Sequence, residues 1–138
     1  MRLTRSGEYG INGLLFLARN GHGRIAYVRE VSEALKISES FLSKIFQAFT
    51  RAGILLSHRG AKGGYSLARP AHLITLREVI EAVQGPIALN RCLLRNRQPC
   101  ARHRRCGLHE VLRAAQQRVE QQFEETTVGY LAETTQFI

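Results

Sequence analysis

The sequence contains no aspartate and only three lysines, so nearly all of its charge comes from glutamate and arginine. All 11 acidic residues are glutamates, and 17 of the 20 basic residues are arginines. The lack of aspartate argues against aspartate-based hydrolytic sites and two-metal sites. Long apolar runs are also missing, because the longest lies near residues 14–18 and a membrane span needs roughly 18 apolar residues. We therefore expect no membrane partner.

Cysteine is scarce as well, and its three residues cannot all pair with one another in disulfides. The segment from Met1 to Arg5 lacks the apolar core of a signal peptide, so we expect a cytoplasmic protein. In a reducing compartment, clustered cysteines favour metal or redox chemistry over structural disulfides.

Positive charge is concentrated at the front of the chain, whose 138 residues fit a single domain. Residues 1–70 carry 11 basic and four acidic side chains, whereas residues 71–138 carry nine and seven. Residues 91–105 hold six arginines and no acid, and an acidic helical tail follows from residue 107. We therefore divide one continuous domain into a basic DNA-binding region, 1–70, and a region with a cysteine loop and a dimerisation helix, 71–138.

Apolar residues recur at helical spacing in three segments of the first half, 11–18, 28–35 and 41–49. Gly10 and Gly13, in the first of these helices, indicate close packing against a neighbour. Ser38 is a favourable N-cap for the third segment. Two short helices separated by a tight turn match a helix-turn-helix.

Two strand-like segments follow, 54–57 and 65–68, and a glycine-rich cationic turn joins them. Glycines permit the positive φ angles of such a turn, and the pattern is typical of a β-wing. The predicted fold class is mainly α: a winged helix-turn-helix with a small two-stranded β-wing.

A further helix is expected over residues 76–83, capped by Thr75 and ended by Gly85. After the cysteine loop, a long helix is expected to carry one narrow apolar stripe. The residues of this stripe are Leu108, Val111, Leu112, Ala115, Val119 and Phe123. Because so little of its own chain is available to cover the stripe, we predict that it forms a homodimer interface.

A helix-turn-helix places its second helix in the major groove, where residues near the N-terminus of that helix contact the bases. Polar side chains there can bond to base edges, and cations in the helix and wing can neutralise phosphates. The predicted contacts to double-stranded operator DNA are Ser38, Ser40, Ser43, Lys44, Gln47, Arg59, Lys62, Gly63 and Gly64. The alternative is a solvated charged face with Ser38 as a simple helix cap.

Seven residues separate Cys92 from Cys100, five separate Cys100 from Cys106, and His109 follows three positions later. A zinc knuckle needs a closely spaced cysteine pair, which is missing here. An iron–sulfur cluster tolerates longer gaps, but three thiolates need a further ligand, for which His109 and Glu8 are the candidates. Free cysteines, a reversible disulfide and a zinc site with three cysteines and one histidine remain alternatives.

Several segments resemble the Rrf-type winged-helix repressors, a family with iron–sulfur and nitric-oxide-sensing members. The most specific is the wing segment 59–69, RGAKGGYSLAR, and residues 1–9, 37–42 and 74–80 also resemble the family. The resemblance implies a homodimeric repressor whose cysteine loop binds an iron–sulfur cluster. It also implies that the fourth ligand is a histidine at the position of His109, or an acid at the position of Glu8 from the other subunit.

We therefore predict a transcriptional regulator whose operator affinity depends on an iron–sulfur cluster bound by Cys92, Cys100 and Cys106. His109 is preferred to Glu8 as the fourth ligand, and a [2Fe–2S] cluster is preferred to a [4Fe–4S] cluster. The runner-up is a cluster-free DNA-binding regulator with a thiol redox switch or a zinc site. An enzyme is not expected, because the glycine-rich turn lies between strands and not before a helix, as phosphate-binding loops do.

Overall fold

The computed structural model describes residues 1–60, 63–94, 100 and 103–136, although not the side chain of His103. These residues form six α-helices and a three-stranded antiparallel sheet. The elements are α1 Arg5–Arg19, β1 Ala26–Tyr27, α2 Val28–Leu35, α3 Glu39–Arg51, β2 Leu55–His58, β3 Gly64–Leu67, α4 Leu76–Gln84, α5 Gly107–Glu125 and α6 Val128–Thr134. Short 3-10 helices cover Ala71–Leu73, Arg91–Leu93 and His103–Arg105. No described helix is both long enough and apolar enough to cross a membrane.

Helix α1 lies against α3 at its glycines. A Cβ atom added to Gly10 would lie 2.8 Å from Cζ of Phe49, and one added to Gly13 would lie 2.8 Å from Cε1 of Phe46. Both phenylalanine rings are fully buried. The predicted close packing is confirmed, and a larger side chain at either glycine would push into the aromatic centre of the core.

Helices α2 and α3 form the predicted helix-turn-helix. Lys36 ends α2 with a φ of 56°, in the left-handed region, and so reverses the chain. The Oγ of Ser38 then accepts a hydrogen bond of 3.2 Å from the backbone N–H of Phe41, so Ser38 caps α3 as predicted.

Strands β2 and β3 pair as an antiparallel hairpin, with Leu55 opposite Leu67 and His58 opposite Gly64, which confirms the predicted wing. A third strand, β1, pairs with the other edge of β3 and was absent from the sequence prediction. Gly64 lets β1 approach, because a Cβ atom there would lie 2.5 Å from Cγ2 of Ile25. A strand of two residues is too short to show the alternation by which strands are predicted.

One hydrophobic core joins both regions of the sequence. Leu14, Leu42 and Ile54 from the first region pack in the same buried cluster as Val79 of α4 and Val128 of α6. Helix α4 begins with a capping box, in which Thr75 Oγ1 accepts from the backbone of Glu78 and the Glu78 carboxylate accepts from the backbone of Thr75. Helices α4 and α6 both pack on α1, so they belong to the winged-helix body.

The predicted long helix is present as α5, but the acidic tail does not end with it, because α5 ends at Glu125 and a separate helix α6 follows. Thr126 and Thr127 adopt extended backbone angles between the two helices. The N–H of Leu76 donates to the Thr126 carbonyl at 2.8 Å, and the N–H of Val128 donates to the Ile74 carbonyl at 2.9 Å. These two bonds attach the tail to the entrance of α4.

Candidate nucleic-acid interface and cysteine site

The predicted base-contacting residues lie at the start of α3 on its outer side. Ser38, Ser40, Lys44 and Gln47 are exposed and Ser43 is half-buried, whereas Phe46 on the opposite side is fully buried. The Oγ atoms of Ser38 and Ser40 are 3.1 Å apart, so the cap residue is also part of the polar face. The buried side fixes α3 in the core and leaves this face accessible.

The wing residues divide into exposed and packed positions. Arg59 is exposed, Gly63 is half-buried with a φ of 56°, and Gly64 is buried against β1. Lys62 lies outside the described residues. Gly64 therefore has a role in strand packing. Among the described wing residues, Arg59 places a positive charge on the surface.

A hydrogen bond crosses the wing hairpin close to its turn. The Nε2 of His58 lies 2.7 Å from the Oγ of Ser66, which is buried. Sequence inspection did not single out this pair, because the two residues are eight positions apart and meet only once the hairpin register is known. The bond helps to hold the hairpin that carries Arg59.

Three cations flank the outer side of α3 and the wing: Lys44, Arg51 and Arg59 are all exposed. Within the described part of the chain, none of the three forms an ion pair with a glutamate. Their positive charge is therefore available to neutralise phosphate groups.

The three cysteines and His109 line one cavity of about 110 Å³, although they are spread over 18 residues of sequence. Cys92 lies in a 3-10 helix and Cys106 is the N-cap residue of α5, and both are half-buried. Cys100 is exposed, and none of the three forms a disulfide with another described residue. The side chain of Asn90 donates to the Sγ of Cys92 over 3.7 Å.

The donor set of this cavity suits an iron–sulfur cluster. Among the described residues, no group of three His, Cys or Glu side chains is arranged to hold one metal ion. A cluster with several irons holds its ligands farther apart than a single ion does, and thiolates and imidazoles are its usual ligands. Leu108 and Leu112 add apolar lining to the cavity.

Glu8, the other candidate ligand, lies elsewhere. It is exposed in the first turn of α1, and it is not among the described residues that line the cysteine cavity. The structure therefore brings His109 to the cysteines within one chain. Glu8 would have to reach the site from a second subunit.

A second cavity, of about 370 Å³, lies between α4, the cysteine loop and α5. Arg77 lines it and donates from Nε to Glu81 at 3.2 Å, and it also faces Glu120 and Glu124 of α5. The hydrogen bond to Glu81, assisted by the charges of the three glutamates, raises the pKa of Arg77 against the opposing effect of burial. Arg77 and Glu81 have the i,i+4 spacing of a helical ion pair, but nothing in the sequence indicates the link to α5.

Comparison with known proteins identifies the class of this chain. Residues 3–134 match the Rrf2 family, described as an iron-dependent transcriptional regulator. The chain belongs to the Rrf2 family. Protein aau3 of Rhizobium meliloti (strain 1021) is 37% identical over 83% of this chain and 74% of its own length. The HTH-type transcriptional regulator IscR of Vibrio campbellii is 30% identical over 95% of this chain and 77% of its own length.

The solved structures include CymR, the global cysteine regulator of B. subtilis, which matches this Rrf2 chain with a TM-score of 0.76. The two are 25% identical, and the match covers 99% of each chain. The predicted family and fold class are therefore confirmed. The predicted functional class is confirmed too, because the family consists of transcriptional regulators and not of enzymes.

Proposed function

We propose that this Rrf2 protein is a homodimeric repressor whose operator affinity is controlled by an iron–sulfur cluster bound at Cys92, Cys100 and Cys106. The observation that carries the proposal is the convergence of the three cysteines and His109 on one cavity. The iron dependence in the description of the family supports it. When bound, the cluster would supply a link between the loop and α5 that depends on iron supply or redox state.

His109 is the preferred fourth ligand, and a [2Fe–2S] cluster is the preferred type. His109 lies one turn into α5 from Cys106, so the same rigid helix presents both side chains to the cavity. Ligation by Glu8 would instead couple cluster loading to the geometry of a dimer, because that side chain is remote from the cavity of its own chain.

The homodimer is proposed to form through α5. In the described structure Leu108 is 63% exposed and Val111 is 65% exposed, which is unusual for neighbours on the apolar face of a long helix. Contiguous apolar surface of this kind marks an interaction site. A second copy of α5 would cover it and would place two recognition helices on one operator.

The proposed DNA interface consists of the outer side of α3 and the wing. A dimer of winged helices reads two half-sites about one helical turn apart, and the separation of its recognition helices decides the fit. Helix α4 contacts α1, α3 and α5, so a change at the cysteine loop has a packed route to α3.

The test is anaerobic purification followed by iron and sulfide analysis and a visible absorption spectrum. Replacing Cys92, Cys100 or Cys106 by Ala should remove the visible absorbance, because two remaining thiolates hold a cluster weakly. His109→Ala should lose or shift the spectrum, with His22→Ala, an exposed histidine in a distant turn, as the matched control. If Glu8→Ala removes the colour and His109→Ala does not, the fourth ligand is Glu8 of a second subunit. A colourless wild-type protein without iron and sulfide would contradict the proposal.

A thiol switch is the second candidate, and the exposure of Cys100 beside two half-buried cysteines favours it. Peroxide would oxidise the Cys100 thiolate to a sulfenic acid and release water or hydroxide. A second cysteine would then form the disulfide as the sulfenic oxygen leaves as water. Reversible loss of two thiols by mass spectrometry in an iron-free protein, with a matched change in DNA affinity, would support this candidate over the cluster.

A further inference from the structure

A continuous chain of polar contacts runs from the cysteine loop, across α5, to α4. The backbone N–H of Leu89 donates to Oε1 of Gln116 at 3.0 Å, and Nε2 of Gln116 donates to Oε1 of Glu120 at 3.2 Å. The same Glu120 oxygen lies 3.9 Å from Nη2 of Arg77, which bonds to Glu81 within α4. We refer to Leu89, Gln116, Glu120 and Arg77 as the polar chain.

The charged pair of the polar chain, Arg77 and Glu120, is more enclosed than the ion pair of Arg113 and Glu110 within α5. The side chains of Arg77 and Glu120 are 28% and 25% exposed, whereas those of Arg113 and Glu110 are 53% and 61% exposed. Solvent and salt screen partly buried charges less than exposed ones. The pair of Arg77 and Glu120, although longer at 3.9 Å than the 2.8 Å pair of Arg113 and Glu110, is therefore screened less by solvent and salt.

The polar chain lies next to the segment that carries Cys92. Leu89 is three residues before Cys92, and Leu93 and Leu94, which directly follow Cys92, line the larger cavity together with Arg77 and Gln116. The loop thus faces the thiol cavity on one side and the polar chain on the other. A movement of the loop at Cys92 would first change the bond between Leu89 and Gln116.

We propose that Gln116, Glu120 and Arg77 are positioning residues that transmit the state of the cysteine loop to the DNA-binding helices. This inference rests on the proposed control of operator affinity by the cysteine site. Gln116 senses the loop through its bond to a backbone N–H, and Glu120 passes a change in α5 to Arg77. Because α4 packs on α1 and α3, a shift of Arg77 would change the position of the recognition helix α3 on the core.

The test compares Gln116→Met with Gln121→Met. Both glutamines lie on α5 and donate to the glutamate four positions later, but the Gln121 pair with Glu125 is exposed and lies outside the polar chain. For each full-length protein, the dissociation constant for a DNA duplex selected from a random library is measured in the cluster-loaded and the cluster-free state. Iron content and melting temperature are recorded alongside.

Wild type and Gln121→Met should show the same ratio of the two dissociation constants, within the roughly 5- to 150-fold range of known allosteric couplings. Gln116→Met should bind DNA and iron but reduce the ratio to about twofold or less, because the thioether of methionine is only a weak acceptor for the N–H of Leu89. Arg77→Gln, at the other end of the polar chain, should also reduce the ratio to about twofold or less. A wild-type ratio in Gln116→Met would overturn the inference and leave the proposed function standing. A ratio of one in wild type would overturn the proposed function itself.

Amide hydrogen exchange at Leu89 gives a second readout that requires no cluster. In the cluster-free proteins, Gln116→Met should exchange this amide faster than wild type and Gln121→Met. Gln116→Glu retains an acceptor for Leu89 but opposes Glu120, so it should keep the protection and still lose the coupling. Equal protection at Leu89 in Gln116→Met and Gln121→Met would overturn the inference even if one variant does not load iron.

Discussion

Helices α3 and α5 are both amphipathic, yet their apolar faces meet different surroundings. In α3, Leu42, Phe46 and Phe49 are fully buried between α1, α2 and the sheet. None of the described residues of α5 is buried. Leu108 and Val111 are exposed, and the other four residues of the apolar stripe are half-buried. A periodic apolar face therefore predicts a helix, whereas the surrounding chain decides whether the partner is internal or a second molecule.

The largest difference between the two helices should appear in stability. Phe49→Ala in α3 should lower the free energy of unfolding by about 3–5 kcal/mol, because it leaves a cavity beside Phe46 and Gly10. Val111→Ala in α5 should change the stability of the subunit itself by less than about 0.5 kcal/mol. Urea denaturation at a protein concentration low enough to dissociate dimers makes the comparison, and equal losses would contradict it.

Association should show the opposite dependence. Val111→Glu combined with Val119→Glu places two charges on the stripe of α5 and should convert dimers into folded monomers. Light scattering measures the mass, and circular dichroism checks that the helices are retained. Glu110→Gln, an exposed change on the same helix, is the control and should remain dimeric. A dimer that persists in the double variant would place the interface on another surface.

The DNA face offers a third contrast, since it should respond without any change in association. Arg59→Ala should weaken operator binding by about 1–3 kcal/mol if the guanidinium contacts a base edge. Lys62→Ala should instead lower the slope of log affinity against log salt by about one, through the loss of one phosphate contact. Gel-shift titrations at several salt concentrations separate the two effects. Unchanged affinity in both variants would remove the wing from the interface.

The smallest effect concerns the helix starts. Thr75 closes α4 with a complete capping box, whereas Cys106 at the start of α5 makes no side-chain cap bond within the described residues. Thr75→Ala should cost about 1 kcal/mol of stability. Cys106→Ala should leave the stability of the cluster-free protein nearly unchanged. Thermal unfolding of the two cluster-free variants provides the measurement, and a larger loss for Cys106→Ala would show that its thiol has a structural role.

The sequence was sufficient to predict the elements whose signal is local. The apolar periodicity of α1 to α3, the Ser38 and Thr75 caps and the glycine-rich wing hairpin all appear as predicted. Strand β1 has two residues and carries no pattern of its own. Helix α6 is set off by the extended backbone of Thr126 and Thr127, which form bonds with the chain around Thr75 that only the folded structure shows.

The candidate site divides in the same way. Cys92, Cys100, Cys106 and His109 lie on one loop and the helix turn that follows it, so their proximity was predictable from sequence distance. The packing role of Gly64 depends on the unpredicted strand β1. The polar chain joins Leu89 to Gln116, 27 positions away, and Glu120 to Arg77, 43 positions away, and no local pattern indicates these two contacts.

Control of operator affinity by the cysteine site can be measured in one experiment. Anaerobically purified protein is divided, the iron is chelated from one half, and both halves are titrated against the same selected duplex, with Cys100→Ala treated identically. We expect a coloured wild-type protein whose affinity changes by at least roughly fivefold on iron removal. We also expect a colourless Cys100→Ala protein whose affinity does not change. A fully coloured Cys100→Ala protein, or wild-type halves with equal affinity, would contradict it.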